Sequence, residues 1–162
     1  MVNEQDILGN TKLHYAVQKE DDITPLLNQG YDMYIKNLDD ETPISLCIKY
    51  GTYYNLVAMV DNNMNIEVLY EIDKDGYLLI YYAIERNYVN MIRLFMNIYD
   101  MKHKDEYGRN AYWYMADKMN LDDTSFLILI DRIRFEMSDY EDLPEDKLNF
   151  WKSMFNYPIY PD

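Results

Sequence analysis

Asp6-Ile-Leu-Gly9-Asn-Thr11-Lys-Leu13-His14-Tyr-Ala16-Val17 is a pattern to which the chain returns three more times. The later copies are Asn37-Leu-Asp-Asp40-Glu-Thr42-Pro43-Ile44-Ser-Leu-Cys47-Ile48, Asp73-Lys-Asp-Gly76-Tyr-Leu-Leu-Ile80-Tyr-Tyr-Ala83-Ile84 and Asp105-Glu-Tyr-Gly108-Arg-Asn-Ala-Tyr112-Trp-Tyr-Met115-Ala116, at intervals of 31, 36 and 32 residues. Each opens on Asp or Asn, reaches Gly or Asp three positions on, and then enters an apolar-rich run. A period of about 33 residues marks one supersecondary unit used repeatedly, each copy burying its neighbour's apolar face. The expected fold is an all-α solenoid of helix-turn-helix units rather than a single-core globule. Such stacks present long surfaces to partners and rarely enclose a catalytic pocket.

Within each copy the residue types follow the backbone's needs. Gly9, Gly76 and Gly108 occupy a turn position where positive φ is favoured, and Asp40 is a substitute of a tolerated type. Thr11 and Thr42 are placed to N-cap the following helix, and Pro43 suits its first turn. Leu78 and Asn110 stand in place of the Thr, so the cap is degraded in the third copy. The first helix then repeats Leu13, Ile44, Ile80, Tyr112, next Ala16, Cys47, Ala83, Met115, and next Val17, Ile48, Ile84, Ala116. Small residues at the middle offset let two helices approach closely. Gly51 and Asn87 mark a break and suit the left-handed conformation at a helix end, with Glu20 and Met119 in the equivalent slots. A second helix is predicted over Ile23–Asn28, Asn55–Val60, Val89–Ile98 and Thr124–Arg134. In the third, Val89, Ile92, Phe95 and Met96 share one face.

These residues carry a family resemblance. Gly9-Asn-Thr11-Lys-Leu13-His14-Tyr-Ala16 resembles the ankyrin-repeat signature Gly-x-Thr-Pro-Leu-His-x-Ala. Thr42-Pro43-Ile44 carries its Thr-Pro-Leu element, and Asn87-Tyr-Val-Asn-Met-Ile-Arg-Leu-Phe-Met96 its second helix. The resemblance implies four degenerate repeats, over about 3–36, 37–72, 73–104 and 105–134. Past Phe135 the pattern stops. The acidic link Glu136-Met-Ser-Asp-Tyr-Glu-Asp142 leads to Asp142-Leu-Pro-Glu145, a capping-box start, after which Leu148, Trp151, Met154 and Phe155 share a helical face. Residues 135–162 are therefore expected to be an acidic link and a C-terminal capping helix that covers the last repeat.

Composition narrows the function. Apolar residues make up 49% of the 162-residue chain, enough for a continuous core. No apolar run approaches the ~18–20 residues of a membrane span. Met1-Val-Asn-Glu-Gln-Asp6 has neither the basic nor the apolar region of a secretory leader. The expectation is a cytoplasmic monomer, in the host cell's cytoplasm for a viral source. Cys47, the one cysteine, cannot form an internal disulfide. Fifteen Lys and Arg face 29 Asp and Glu, a net charge of −14. That surface repels nucleic-acid phosphates and anionic membranes and favours a basic protein partner. Excess carboxylate would equally keep an extended surface in solution.

Candidate chemistry is sparse. Glu71-Ile-Asp73-Lys-Asp75-Gly76 mimics the start of a calcium loop, but the position needing a bidentate Glu is Tyr82. His14 and His103 lack a second ligand at metal spacing. His14 holds the signature's own His position, where the resemblance implies a tie between adjacent turns; His103 is expected to be solvated, and Cys47 buried and inert. The pairs Asp21-Asp22, Asp39-Asp40 and Asp122-Asp123 fall at turns and helix starts, where carboxylates cap. No nucleotide loop or nucleophile elbow appears. Neither enzymatic activity nor a cofactor or metal is expected.

In ankyrin stacks the loop tips and the exposed face of the first helix line a concave groove. Carried onto this sequence, the resemblance implies a partner surface of Leu38, Asp39, Glu41, Lys49 and Tyr50 from the second copy. The third supplies Lys74, Asp75, Tyr77, Glu85 and Arg86, and the fourth Glu106, Tyr107, Arg109, Asp117 and Lys118. Tyr77 and Tyr107 lead, because an aromatic on a turn has no packing reason to be there. The reading is a non-catalytic protein-binding module, a small stand-alone inhibitor or adaptor. Its sharper form is an acidic immunity protein or viral antagonist neutralising a basic partner such as a nuclease toxin. A DNA mimic ranks lower, since the acids are spread over turns and tail.

Overall fold

The computed structural model describes residues 1–118, 129, 132–134 and 143–155. Its helices are α1 (Lys12–Gln18), α2 (Thr24–Asn28), α3 (Pro43–Tyr50), α4 (Tyr53–Asp61), α5 (Ile80–Glu85), α6 (Val89–Ile98), α7 (Ala111–Lys118) and α8 (Glu145–Phe155), with a 3-10 turn at Ile66–Tyr70. Among the described residues there is no strand, only an isolated antiparallel bridge between Ile72 and Leu78. The fold is all-α and built from helix pairs. By contacts the chain divides into two compact units, Met1–Tyr82 and Ala83–Asp162.

In the first unit, α1 packs on α3, α3 on α4, and α2 on α4. Leu13, Val17, Ile23, Ile44, Leu46, Cys47, Ile48, Leu56 and Met59 are essentially inaccessible. Each buried Leu, Ile or Met contributes about 1.5–3 kcal/mol, so these side chains dominate the unit's stability. The Thr caps form as the residue types dictate: Thr42 Oγ1 accepts from Ser45 N at 3.1 Å, and Ser45 Oγ accepts from Thr42 N at 2.9 Å. Thr52 caps α4 in the same way, accepting from Asn55 N at 3.2 Å.

Left-handed residues fall where the pattern demands at Gly9, Glu20, Asp40, Gly76, Asn87 and Gly108. Gly51 does not join them. Its φ of −82° and ψ of −168° are extended, because Thr52 caps a new helix immediately afterwards. Glycine is required there for space instead: a Cβ would stand 2.8 Å from the Cys47 carbonyl oxygen and 2.9 Å from its Cα. Gly51→Ala is expected to cost about 1–3 kcal/mol, read from the midpoint of denaturant unfolding. Wild-type stability would show that the α3–α4 corner can open without penalty.

In the second unit, α6 keeps its predicted bounds, and it buries Met91, Ile92, Phe95 and Met96, leaving Val89 half-buried. The α8 helix packs on α7. Trp151 is 1% exposed, donates Nε1–H to the Tyr112 carbonyl at 3.3 Å and meets the Tyr112 ring edge-on at 6.2 Å. Of the predicted helix Thr124–Arg134, Leu129 and residues 132–134 are helical; the rest, like Met119, Asp122-Asp123 and the acidic link 136–142, lies outside the described residues.

Candidate functional site

Each repeat's turn is built by one Asp or Asn side chain. Asp6 Oδ1 accepts from the backbone N–H of Leu8 and Asn10, both at 2.9 Å. Asn37 does the same for Asp39 and Glu41, Asp73 for Asp75 and Tyr77, and Asp105 for Tyr107 and Arg109. These bonds fix the loop tip without help from a strand ladder. The Asp's second oxygen is latched by a tyrosine nine residues on. Tyr15 donates to Asp6 at 2.5 Å, Tyr82 to Asp73 at 2.5 Å and Tyr114 to Asp105 at 2.6 Å. The second copy has Asn37 and Leu46 at these places and no latch; Asn37 Nδ2 instead donates to Asn10 Oδ1 at 2.9 Å, tying the first two turns. Of the calcium-like acids of the third copy, Asp73 uses both oxygens internally.

Lys49 departs from expectation. Placed on the exposed face by the resemblance, it is 4% exposed, with Nζ 3.1 Å from Glu41 and 2.9 Å from Asp73, above the Tyr82 ring. The two carboxylates belong to successive copies, so the ammonium is drawn inward to bridge them. Burial disfavours the charged Lys49, but its bonds to Asp73 and Glu41 outweigh it and raise the ammonium above its ordinary value. For Asp73, burial likewise opposes ionisation, yet the hydrogen bonds from Tyr82 and Lys49 hold the carboxyl below its usual range. Burial, then Asp73, pushes the Tyr82 phenol well up. The fourth copy has its own version: Arg109 Nε meets Asp105 at 2.7 Å, and the guanidinium lies over the rings of Tyr107 and Tyr114. Burial would raise the Asp105 carboxyl, but Tyr114 and Arg109 keep it lowered.

His14 joins the first two turns. It is fully buried; Nδ1 accepts from Thr11 N at 3.0 Å and lies 2.8 Å from Thr11 Oγ1, while Nε2 faces the Glu41 carbonyl at 3.2 Å. Because the Thr11 N–H can only donate, Nδ1 must stay unprotonated and Nε2 carries the hydrogen. Burial accordingly lowers the imidazole pKa below its ordinary value, despite the Glu41 carbonyl. A depressed folded value means that stability present above about pH 6.5 is lost as pH falls from there through the folded value. Melting temperatures measured between pH 8 and pH 5 should decline for wild type and lose that component in His14→Gln. Equal slopes would remove His14 as the cause.

Around this rigid base the loop tips differ in what they show to water. Leu38 is 77% exposed and Tyr107 65%. Asp39, Tyr50, Lys74, Asp75, Glu85, Arg86, Glu106, Asp117 and Lys118 are also exposed, while Glu41 and Arg109 are half-buried in their ion pairs. Asp117 meets Lys147 of α8 at 2.9 Å. Tyr77 differs from expectation: it is half-buried and stacks on Tyr81 with ring centroids 4.3 Å apart. Four positions separate them, and the turn's first helical residues supply the packing reason. His103 is half-buried too, edge-on to Tyr99 at 6.3 Å.

Two residues escaped the pattern. Ile7 is 90% and Leu8 57% exposed, and the Leu8 carbonyl accepts from Leu38 N at 3.0 Å. The Gly9 backbone lies so close that a Cβ would stand 2.9 Å from Leu38 N. Three aliphatic side chains are thus held in water on two hydrogen-bonded tips. Their signal was legible: aliphatics at the two middle positions of an Asp-x-x-Gly turn cannot turn inward.

The comparisons with known proteins agree with this geometry. The sequence profile of the ankyrin repeats, in three copies, matches residues 13–105, more than half of the chain. The chain belongs to the ankyrin-repeat family. A fowlpox virus (strain NVSL) protein named as an ankyrin repeat protein is 24% identical over 169 residues, covering 97% of this chain. The chain spans only 31% of that relative's length. A Rickettsia bellii (strain RML369-C) protein of the same description is 39% identical over 79 residues, covering 46% of this chain and 74% of the relative. Ankyrin repeats are protein–protein interaction modules, and the family is generally non-catalytic. Among the described residues, no helix is long and apolar enough to cross a membrane, and no three His, Cys, Asp or Glu side chains are grouped to hold a metal ion.

Proposed function

We propose that this ankyrin-repeat chain is a non-catalytic inhibitor or adaptor that recognises a basic partner protein through its loop tips. The observation that carries the reading is the aliphatic cluster Ile7, Leu8 and Leu38, presented to solvent on turns locked by Asp6 and Asn37. Exposed aliphatics on a preorganised backbone lose little entropy on binding, and burying their apolar area against a partner is favourable. Asp39, Lys74, Asp75 and the exposed aromatic Tyr50 supply polar groups on the first unit, and Glu106 and Tyr107 are the exposed tip residues of the second. Lys49, Glu41 and Arg109 contribute by holding the tips rather than by contact. The net charge of −14 supports a basic partner and electrostatic steering of association.

Affinity capture with the wild-type chain, identification by mass spectrometry and reconstitution with the purified partner test this. Ile7→Asp with Leu38→Asp should weaken the reconstituted pair by about a hundredfold, as loss of a hot-spot cluster does. Association should slow several-fold between about 50 and 500 mM salt. An unchanged Kd in the double variant would place recognition elsewhere, and salt-independent association would remove the basic partner.

A further inference from the structure

One open groove of the first unit lies not among the turns but between the second helices. About 570 Å³ in volume, it is bounded by α2 and α4. Leu27, Val57 and Ala58 contribute its apolar lining, and Tyr54, 79% exposed, forms a wall. Glu20 and Asp22 stand ahead of the first turn of α2, and Asp61 closes the last turn of α4. Among the described residues, no lysine, arginine or histidine lines the groove. A second, independent feature sits beside these acids. Asn55 lines the groove, is 4% exposed, and its Nδ2 has no hydrogen-bond partner among the described residues.

A buried amide donor without an acceptor costs about 1–3 kcal/mol, so a rotation of the Asn55 side chain toward an acceptor atom in the groove would be favoured. A backbone carbonyl of an extended peptide is such an atom. Apolar lining takes aliphatic side chains, and three rim carboxylates with no ion pair among the described residues take lysine or arginine. Thr24, Asn28 and Asn62 offer further donors and acceptors to a peptide backbone. A nucleic acid or an anionic lipid is repelled by the same rim. We propose that the α2–α4 groove is a second docking site, which takes an extended basic peptide segment of a partner protein, aliphatic side chains against Leu27, Val57 and Ala58 and basic side chains on Asp22 and Asp61. The site is built from the second helices and not from the turn residues, so it stands independently of loop-tip recognition.

The probe is a fluorescein-labelled peptide of about eight residues, a valine pair flanked on both sides by lysines, titrated onto the full chain by anisotropy. Binding is expected in the micromolar range or tighter, with amide shift changes in the 15N-labelled chain concentrated in α2 and α4. Asp22→Asn with Asp61→Asn should weaken it about tenfold while keeping the Asx bond from Thr24 N. Ala58→Gln, which fills the groove without adding charge, should weaken it at least as much, with helical circular dichroism unchanged. A glutamate version of the peptide should not bind. No binding at millimolar peptide, shift changes confined to the turns 6–9 and 37–40, or equal affinity in both variants would each overturn the proposal. Because loop-tip recognition is read from the reconstituted partner pair, its failure and this one are separable.

Discussion

Replacing Lys49 with methionine is expected to cost the fold about 3–5 kcal/mol, the penalty for leaving buried charge unpaired. The methionine fits the volume, but Glu41 and Asp73 would then face each other without the cation that draws them together. Asp73 also carries the third turn through its bonds to Asp75 N, Tyr77 N and Tyr82, so repulsion there loosens the loop as well. Adding Asp73→Asn in the Lys49→Met background should recover part of the loss, since Asn keeps the turn acceptor and removes the charge. Urea unfolding of the four chains in this cycle gives the coupling; additive effects would show that the pair does not interact. The pH dependence follows from the directions of the shifts. The lowered Asp73 carboxyl contributes stability above about pH 3.9 that is lost as pH falls through its folded value. The raised Lys49 contributes stability below about pH 10.4 that is lost as pH rises through its folded value.

Trp151→Ala should be comparably severe within the second unit, at about 3–5 kcal/mol for a fully buried indole. It removes the ring that meets Tyr112 and stacks near Phe155, together with the bond to the Tyr112 carbonyl. Met154, 3% exposed on the same face of α8, would lose its neighbour and α7 would open to water. Trp151→Phe should restore most of the packing and lose about 1 kcal/mol for the missing hydrogen bond. Hydrogen exchange in α7 reads the outcome locally: faster exchange in Trp151→Ala is expected, and unchanged protection would mean that α8 does not cover the last described repeat helix.

Much of this was legible in the sequence because the repeat enforces it. Positive-φ turns at Gly9, Gly76 and Gly108, the Thr42 cap, the buried Cys47 and the bounds of α6 all follow from residue type and local spacing. His14 was legible through its place in the signature. Lys49 was not, since its partners come from two turns and the resemblance alone puts it on the surface. The Asp–Tyr latches were visible as Asp6 and Tyr15, Asp73 and Tyr82, Asp105 and Tyr114, but nine residues matches neither helical nor strand spacing. Tyr77 was misplaced for the opposite reason: a turn residue four positions before a helical tyrosine can stack on it. The α2–α4 groove depends on how neighbouring repeats approach, which no single copy records.

Hydrogen–deuterium exchange of the chain alone and saturated with its reconstituted partner bears most directly on loop-tip recognition. The expected result is slower exchange at residues 6–10 and 37–41, where the Asx-bonded amides and Leu38 N lie beneath the aliphatic cluster. Unchanged exchange at both turns in a saturated complex would contradict it.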